Sequence, residues 1–440
     1  MVGKTYVNLL ILLAAGCAAQ STSDHSSISD VSEGLRERTD YELGQPAEAG
    51  RLNLPEGVSL DDGLSQDEAV ALALWNNARF QADLATLGFA RADLVEARML
   101  SNPVFSLLFP VGPKLLETNL SFAIDVLWQR PHRIAAAKLD SQGLSENLVE
   151  HGLALIRDVR IAYADLRSAR EHARLAREDA ELRVQMAELA QVRLRAGHIS
   201  DLEASFAQID SLRADDAAKR SSQQATVARQ ELCALLGLIA ENTTFHIAAS
   251  DTASGSTEPI DAILKRALAA RPDLRAAELA IEAAGERLGW EKSKVYNLIA
   301  IIDGDDKGKD SLTVGPGLAV EVPVFNRNDG KTARAKARLE QAVREYEAVR
   351  QGIILQVRQA HTQYISAHDE FESWDADIVP SWQTAVERTE KALAAGQVTY
   401  LSVLQARMGL VAACVRRAES AGRLHRAAAQ LNYSVGRKII

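Results

Sequence analysis

The second half of this chain repeats the first half at a spacing of roughly 194–199 residues. Matching stretches occur in the same order in both halves, and they include Val159-Arg160 with Val357-Arg358, Gly197 with Gly396, and Gly237 with Gly436. Because several separate stretches keep the same register, we interpret the chain as a duplicated unit. A duplication built from very long helices favours a pseudo-symmetric assembly over an enzyme pocket.

The composition supports extended helices. Among 440 residues, aromatic side chains make up only 5% and prolines number 11, which is typical of long helices rather than compact mixed folds. The net charge of −9 offers no basic face for nucleic acid, so we predict no nucleic-acid partner. We find no His and Cys residues at metal-ligand spacing and no Ser/His/Asp set. The sequence therefore predicts neither an enzyme nor a metal site nor a cofactor.

The first 17 residues have the layout of a secretory signal peptide. Lys4 precedes an apolar run, Val7–Ala15, which is too short to span a bilayer as a helix. The run ends in Ala14-Ala15-Gly16-Cys17, which resembles the bacterial lipoprotein signal and implies lipid attachment at Cys17 and transport to the outer membrane. A plain signal peptide with an incidental cysteine is the alternative. Cys233 and Cys414 lie in helical patterns and are interpreted as small buried hydrophobic residues.

Hydrophobic periodicity divides the rest of the chain. Residues 18–63 are polar and predict a tether without a strong helical period, and residues 239–257 predict a linker between a first repeat at 64–238 and a second at 258–440. Each repeat contains one very long helix, predicted at 133–196 and 331–395. Shorter helices flank them, at 64–101 and 202–237 in the first repeat and at 259–295 and 401–436 in the second. Each short pair, placed end to end, would match the long helix in length.

Between its helices, each repeat contains a segment that alternates apolar and polar residues with a period of two. These segments predict one β-hairpin at about 103–128 and another at about 295–325, with a turn-rich stretch at Asp303–Gly308 in the second. The strand lengths suit an outer-membrane barrel. Two hairpins cannot close a barrel, and open strand edges are not tolerated in lipid. A membrane role for these hairpins therefore requires an oligomer.

These residues resemble the TolC-like outer-membrane efflux channels over about Leu64–Arg437. The stretches that carry the resemblance are Leu64–Ala69, Ala97-Arg98 with Asn102-Pro103, Val314–Leu318, Pro323–Arg327, and Ala395-Gly396 with Leu401 and Val403-Leu404. The resemblance implies a mainly α protein with membrane β-structure: a long-helix periplasmic α-barrel, and a β-barrel completed by trimerisation with four strands from each chain. In such a barrel, the alternation directs Phe122, Ile124, Val320 and Val322 towards lipid, and Asp125 and Glu321 towards the lumen.

The same resemblance assigns roles to the two helix–turn–helix tips. In the family these tips dock on a periplasmic adaptor, and here the candidates for docking are Arg193, Gly197, Ser200, Gly396 and Thr399. The tips also form the closed periplasmic iris of the channel, for which the candidates are Glu203, Ser402 and Gln405. The family's prototype has acids where this chain has Ser402 and Gln405, and its salt-bridged lock is not reproduced. Glu203 is either part of a cation-attracting ring or a solvated helix charge.

The resemblance implies a passive exit duct supplied by an inner-membrane pump of the resistance-nodulation-division type, through the adaptor. Arg130–Ala137 and Pro323–Asn328 look like the heavy-metal efflux subgroup, which favours metal cations as cargo. Multidrug efflux and type I secretion are alternatives within the family. A structural periplasmic coiled-coil lipoprotein is the alternative of another class, and it leaves the two hairpins at equivalent positions unexplained.

Overall fold

The computed structural model describes residues 27–44, 52–55, 57–58, 63–109, 116–238, 246–248, 258–306 and 312–439. The predicted signal peptide with Cys17 and most of the predicted linker at 239–257 lie outside these residues. Within the described part of the linker, Ile247 forms an isolated parallel bridge with Leu64 at the start of the first repeat.

Both repeats follow the same plan, which is short helices, a β-hairpin, a long helical segment and a returning helix. A first helix, α1 (Ile28–Thr39), precedes them. The first repeat contains α2 (Gln66–Asn76), α3 (Ala78–Ala85), α4 (Leu87–Arg98), β1 (Val104–Leu108), β2 (Leu116–Ala123), α5 (Val126–Arg195) and α6 (Asp201–Leu235). The second contains α7 (Ile260–Ala270), α8 (Pro272–Ser293), β3 (Asn297–Asp306), β4 (Leu312–Glu321), α9 (Asp329–Glu372), a π-helix (Ser373–Ile378), α10 (Val379–Ala394) and α11 (Tyr400–Val435).

The long helices have the predicted scale. α5 is continuous over 70 residues, which at a rise of ~1.5 Å per residue makes it on the order of 105 Å long. Its counterpart is divided into α9 and α10 by the π-helix, which the sequence did not predict. Among the described residues, no helix combines the length and the apolar run needed to cross a membrane.

The shorter helices are placed end to end beside the long ones, as predicted. Asn77 lies between α2 and α3, and its side-chain amide donates to the carbonyl oxygen of Leu235 at the end of α6, at 2.9 Å. Gly237 follows α6 with a φ of 71°, and a Cβ there would lie 2.4 Å from the carbonyl oxygen of Asn76. Only glycine combines this left-handed backbone with such a close approach. Gly436 follows α11 in the same way, with a φ of 75°.

The predicted helices at 64–101 and 259–295 are each divided, so the prediction of single helices was wrong. Ser65 and Glu68 form the predicted capping box at the start of α2. α3 then begins anew, because the side chain of Asn77 accepts a hydrogen bond from the amide of Phe80. In the second repeat, Pro272 opens α8 and cannot continue the hydrogen bonding of α7.

Residues 18–63 are not only a tether, which corrects the prediction for this segment. They contain α1, and Ser27 and Asp30 form a capping box at its start. Val31 and Leu35 are fully buried against α5. Gly152 of α5 allows this contact, because a Cβ there would come within 2.8 Å of the Leu35 methyl groups. α1 is therefore part of the packed structure.

Two apolar cores lie at equivalent places in the two repeats. In the first, Val159 of α5 and Leu232 of α6 are fully buried. In the second, Val357 of α9 and Leu431 of α11 occupy the equivalent positions and are also buried. The shared core positions agree with the duplication seen in the sequence. A third, smaller cluster joins the repeats, where α11 packs on α5.

The four strands form one antiparallel sheet in the order β1-β2-β3-β4. Within the described residues, β1 and β4 are therefore its open edges. β3 extends to Asp306, which pairs with Leu312 of β4 and Leu116 of β2. The predicted turn at Asp303–Gly308 thus begins too early, because cross-strand pairing holds the acidic residues 303, 305 and 306 in the strand.

Candidate functional site

The first helical tip, residues 193–203, is closed by a left-handed glycine. Gly197 has a φ of 72°, and a Cβ there would meet nothing within 4 Å, so the backbone conformation alone favours glycine. The amide of Gly197 donates to the carbonyl of Leu194, and the amide of His198 donates to the carbonyl of Arg193, both at 2.9 Å. These bonds end α5 and reverse the chain into α6.

Ser200 and Glu203 form a reciprocal capping box at the start of α6. The Glu203 amide donates to the Ser200 hydroxyl oxygen at 3.2 Å, and the Ser200 amide donates to the Glu203 carboxylate at 2.8 Å. Hydrogen bonds from the Ser200 backbone and side chain lower the pKa of Glu203, and the positive charge of Arg193 adds to this effect. Three predicted tip residues are thus brought together. The Glu203 carboxylate serves as a helix cap here, and its role in an iris stays a prediction.

The second tip, residues 392–405, has the same turn but a different cap. Gly396 has a φ of 71°, and the amides of Gly396 and Gln397 donate to α10 carbonyls at 2.9 Å. Thr399 precedes α11 but makes no capping hydrogen bond to its first turn. Its hydroxyl lies 3.2 Å from that of Ser402 instead. Gln405 is exposed one turn further on. The second tip therefore has no acidic cap among its described residues.

A contact between the second tip and α5 was not predicted from the sequence. The hydroxyl of Tyr400, at the start of α11, donates to the side-chain oxygen of Gln185 on α5 at 3.1 Å. Above it, Leu404 and Val411 of α11 pack on Leu175 and Leu182 of α5. The apolar spacing on α11 was visible in the sequence. Its partner helix was not, because residues more than 200 positions apart share no local signal.

The faces of the sheet differ sharply in polarity. One face is almost wholly apolar in all four strands, with Phe105, Leu107, Leu120, Phe122, Leu298, Ile302, Leu318 and Val320 on it. The opposite face carries most of the polar and acidic positions, among them Glu117, Asn119, Asp303, Asp305 and Glu321, whereas Thr118 and Asp306 lie on the mainly apolar face. This arrangement is the one expected of a barrel wall between lipid and a polar lumen.

Of the two predicted lumen residues, one lies in the sheet. Glu321 is the last residue of β4, and the side-chain amide of Asn297 donates to it at 3.4 Å. Asp125 lies beyond β2, which ends at Ala123, so its assignment to the strand was wrong. It precedes the first residue of α5 and accepts a hydrogen bond from the side chain of Gln129 at 2.8 Å. Helix formation at Val126 ends the alternation that suggested a longer strand.

The polar face of the sheet also brings three acids together that the sequence analysis did not single out. Oxygen atoms of Glu117, Asp303 and Asp305 all lie within 4.8 Å of one another, and the three side chains are half-buried. The register of β2 and β3 produces the cluster, since Glu117 pairs directly with Asp305. Such a signal needs the strand register, which a single sequence does not provide.

Comparison with known proteins agrees with this architecture. Residues 263–437 match the family described as "Outer membrane efflux protein". The chain is 24% identical over 385 residues to the cobalt-zinc-cadmium resistance protein CzcC of Cupriavidus metallidurans, covering 85% of this chain and 90% of that protein. It is 27% identical over 235 residues, half of each chain, to the cation efflux system protein CusC of Escherichia coli. A 28% identity over 153 residues, 32% of this chain and 33% of the relative, links it to SilC of Salmonella typhimurium, a probable outer membrane lipoprotein.

The fold is also that of solved channel structures. A crystal structure of CusC superposes with a TM-score of 0.69 at 19% identity, covering 91% of this chain and 99% of that chain. The chain thus shares its fold with solved outer-membrane channel structures. Residues 263–437, which make up most of the second repeat, carry the domain described as "Outer membrane efflux protein".

Proposed function

We propose that this chain forms a homotrimer that serves as the passive exit duct of a tripartite efflux system. The observation that carries the proposal is the four-stranded sheet with one apolar face and two open edges in the described chain. In a bilayer these edges must find partners, since unpaired backbone groups cost several kcal/mol each. Neighbouring copies of the chain supply such partners, and three copies give a barrel of about twelve strands.

The proposed partners follow from the ends of the molecule. The two tips, with Arg193, Gly197, Ser200, Gly396 and Thr399, dock on a periplasmic adaptor, which connects the duct to an inner-membrane pump of the resistance-nodulation-division type. The sheet contacts outer-membrane lipid, and a lipid on Cys17 anchors the start of the chain. The acids on the polar face of the sheet line the water-filled path. Because the duct is passive, it needs no enzymatic chemistry.

Heavy-metal cations are the proposed cargo. The names of CzcC and CusC, a cobalt-zinc-cadmium resistance protein and a cation efflux protein, support this assignment. The acidic character of the polar face, with Glu117, Asp303 and Asp305 close together, favours the passage of cations over anions.

The duct is tested on the full chain purified from the outer membrane. We expect a heat-modifiable trimer that conducts ions in planar bilayers.

The matched variants are Leu318→Pro and Leu318→Val. Pro316 of β4 has no amide hydrogen, which suits a position whose amide does not bond to β3. Leu318 lies two residues further along, so its amide points the same way, towards the open edge of the sheet. Leu318→Pro should therefore lower trimer yield and conductance, whereas Leu318→Val should not. A protein that stays monomeric and non-conducting would instead fit a structural lipoprotein.

A further inference from the structure

The long helix of the second repeat begins with an exposed basic stretch, residues 327–338. Although the whole chain carries a net charge of −9, Asp329 is the only acid in this stretch. In the part of the chain that the structure describes, no ion pair engages Arg327, Arg334 or Arg338. Arg334 and Arg338 are four residues apart and therefore share one face of α9. The basic residues, all exposed, are Arg327, Lys331, Arg334, Lys336 and Arg338.

The equivalent place in the first repeat uses its basic residues differently. There, the side chain of Arg133, near the start of α5, donates to the carbonyl of Ala97 at the end of α4, at 2.9 Å. In the second repeat, the side-chain amide of Asn328 takes this part and donates to the carbonyl of Glu291 at the end of α8, at 2.7 Å. The arginines of the basic stretch are therefore not needed to join the helices.

The turn between β4 and α9 holds apolar side chains outwards. Val322 and Val324 are exposed, and Phe325 is fully exposed. The turn has a defined backbone, because the amide of Val324 donates to the carbonyl of Val322 at 2.8 Å. The amide of Asn328 donates to the side-chain oxygen of Asn326 at 3.0 Å. Phe325 is thus presented on a structured turn directly before the basic stretch.

This turn continues the apolar face of the sheet. Leu298 of β3 and Val320 of β4 pair with each other on that face. Tyr296 lies two residues before Leu298, Val322 lies two residues after Val320, and both are exposed. Aromatic residues at the ends of an apolar band are typical of the boundary between lipid and water. The basic stretch therefore follows immediately beyond the end of the band.

The distances along α9 match the depth of a lipid headgroup. Arg334 lies five residues beyond Asp329, the first residue of the helix, which at the rise of an α-helix is ~8 Å. The headgroup layer on each side of a bilayer is roughly 5–8 Å thick. Arg338 lies one turn further, and the long side chain of an arginine can extend back towards the interface.

We infer that the start of α9 binds the headgroup of an anionic phospholipid at the periplasmic face of the membrane. Phe325 lies at the acyl boundary, and the guanidinium groups of Arg327, Arg334 and Arg338 bind the phosphate, for which their planar forks are suited. The inference rests on the duct proposed above, because it requires the sheet to lie in a bilayer. Continuity with the apolar face and the excess of positive charge favour this lipid over a second copy of the chain.

Lipid binding is measured by native mass spectrometry on the full-length protein, purified in detergent and titrated with phosphatidylglycerol or phosphatidylcholine of the same acyl chains. We expect phosphatidylglycerol to bind at least tenfold more tightly, since each basic residue near an anionic surface strengthens binding about fivefold. The preference should fall as the salt concentration rises. Replacing Arg327, Arg334 and Arg338 together by glutamine should remove most of the preference. Phe325→Ser should weaken both lipids and leave the preference in place.

The matched control removes the same charge further along α9, with Arg344, Arg350 and Arg358 replaced together by glutamine. These residues are also exposed, and this variant should keep the preference for phosphatidylglycerol. Equal loss in the two triple variants would show a general effect of net charge and overturn the site. Equal binding of the two lipids by the parent protein would also overturn it, and that measurement needs no variant to fold.

A second copy of the chain is the competing occupant of the basic stretch. If the variant at 327, 334 and 338 purifies as a monomer while the control variant stays trimeric, the stretch contacts a neighbouring copy and the lipid site is refuted.

These outcomes separate the lipid site from the duct. A conducting trimer that does not distinguish phosphatidylglycerol from phosphatidylcholine refutes the lipid site alone. A protein that shows the preference and loses it with the arginines, but never conducts, refutes the duct and leaves the lipid site in place.

Discussion

The guanidinium of Arg271 donates a hydrogen bond to the backbone carbonyl of Tyr433 at 3.1 Å. This contact lies where α8 begins and α11 ends, and it is the counterpart of the bond from Asn77 to Leu235 in the first repeat. Arg271 also forms a bidentate ion pair with Asp273, at 2.6 and 2.9 Å. The residue is only 4% exposed. This buried side chain therefore both fixes the end-to-end stacking of two helices and pairs with a half-buried carboxylate.

Arg271→Ala should destabilise the protein by about 1.5–3 kcal/mol, because it removes the charged hydrogen bonds of a buried guanidinium to the half-buried carboxylate of Asp273 and to the carbonyl of Tyr433. Thermal unfolding of the purified protein measures the effect. The matched control is Arg275→Ala on the same helix, whose ion pair with Glu278 is half-exposed. That variant should lose at most about 1 kcal/mol. Equal losses of stability in the two variants would contradict a special role for Arg271 at the contact between α8 and α11.

The two tips should respond differently to removal of their N-cap hydroxyls. Ser200→Ala deletes one half of the capping box, which typically costs about 1 kcal/mol, whereas Thr399 makes no such cap. We therefore expect faster amide hydrogen exchange in the first turn of α6 in Ser200→Ala, and little change in the first turn of α11 in Thr399→Ala. The isolated protein, without an adaptor, is the sample. Similar changes at both tips would show that the caps are equivalent.

The tip glycines are predicted to act through backbone conformation alone. Gly197→Ala should cost roughly 1–2 kcal/mol, since its φ of 72° is strained for a residue with a Cβ. Gly197→Asn should cost less, because asparagine tolerates this region. Gly285→Ala, in the middle of α8 with open space around it, should instead stabilise by about 0.5–1 kcal/mol. Melting temperatures of the three variants give the comparison.

Acid should destabilise the protein through His425 on α11. Burial, together with the charge of Arg167, lowers the pKa of His425 from 6.5 to about 4. Between these values the unfolded chain binds a proton that the folded chain does not, so stability falls as the pH drops from about 6.5 to about 4. His425→Asn should flatten this part of the profile of melting temperature against pH.

Local patterns carried most of what the sequence predicted correctly. Glycines at 197 and 396 mark the turns, and Ser65 with Glu68 marks the start of α2, because each signal lies within a few residues. α1 was missed since its burial depends on Gly152, more than a hundred residues away. The acidic residues at 303–306 suggested a turn, and only their pairing with β2 keeps them in a strand. The Tyr400–Gln185 bond and the π-helix likewise depend on packing between distant elements.

The same difference between local signals and distant contacts explains which site residues were predicted correctly. Arg193, Ser200 and Glu203 are close in sequence and are brought together at the first tip. Asp125 was misassigned because the alternating pattern continues for two residues past the end of β2, into the start of a helix. Sequence periodicity alone does not show where hydrogen bonding changes from one kind of structure to the other.

We propose that this chain is an outer-membrane exit duct for metal cations. The most direct measurement is growth of a deletion strain, with and without the restored full chain, on graded zinc, cobalt, cadmium, copper and silver beside dyes, detergents and antibiotics. We predict sensitivity to one or more metals that the intact chain restores and Leu318→Pro does not. Unchanged metal tolerance with new sensitivity to the organic compounds would contradict the metal assignment and favour multidrug export.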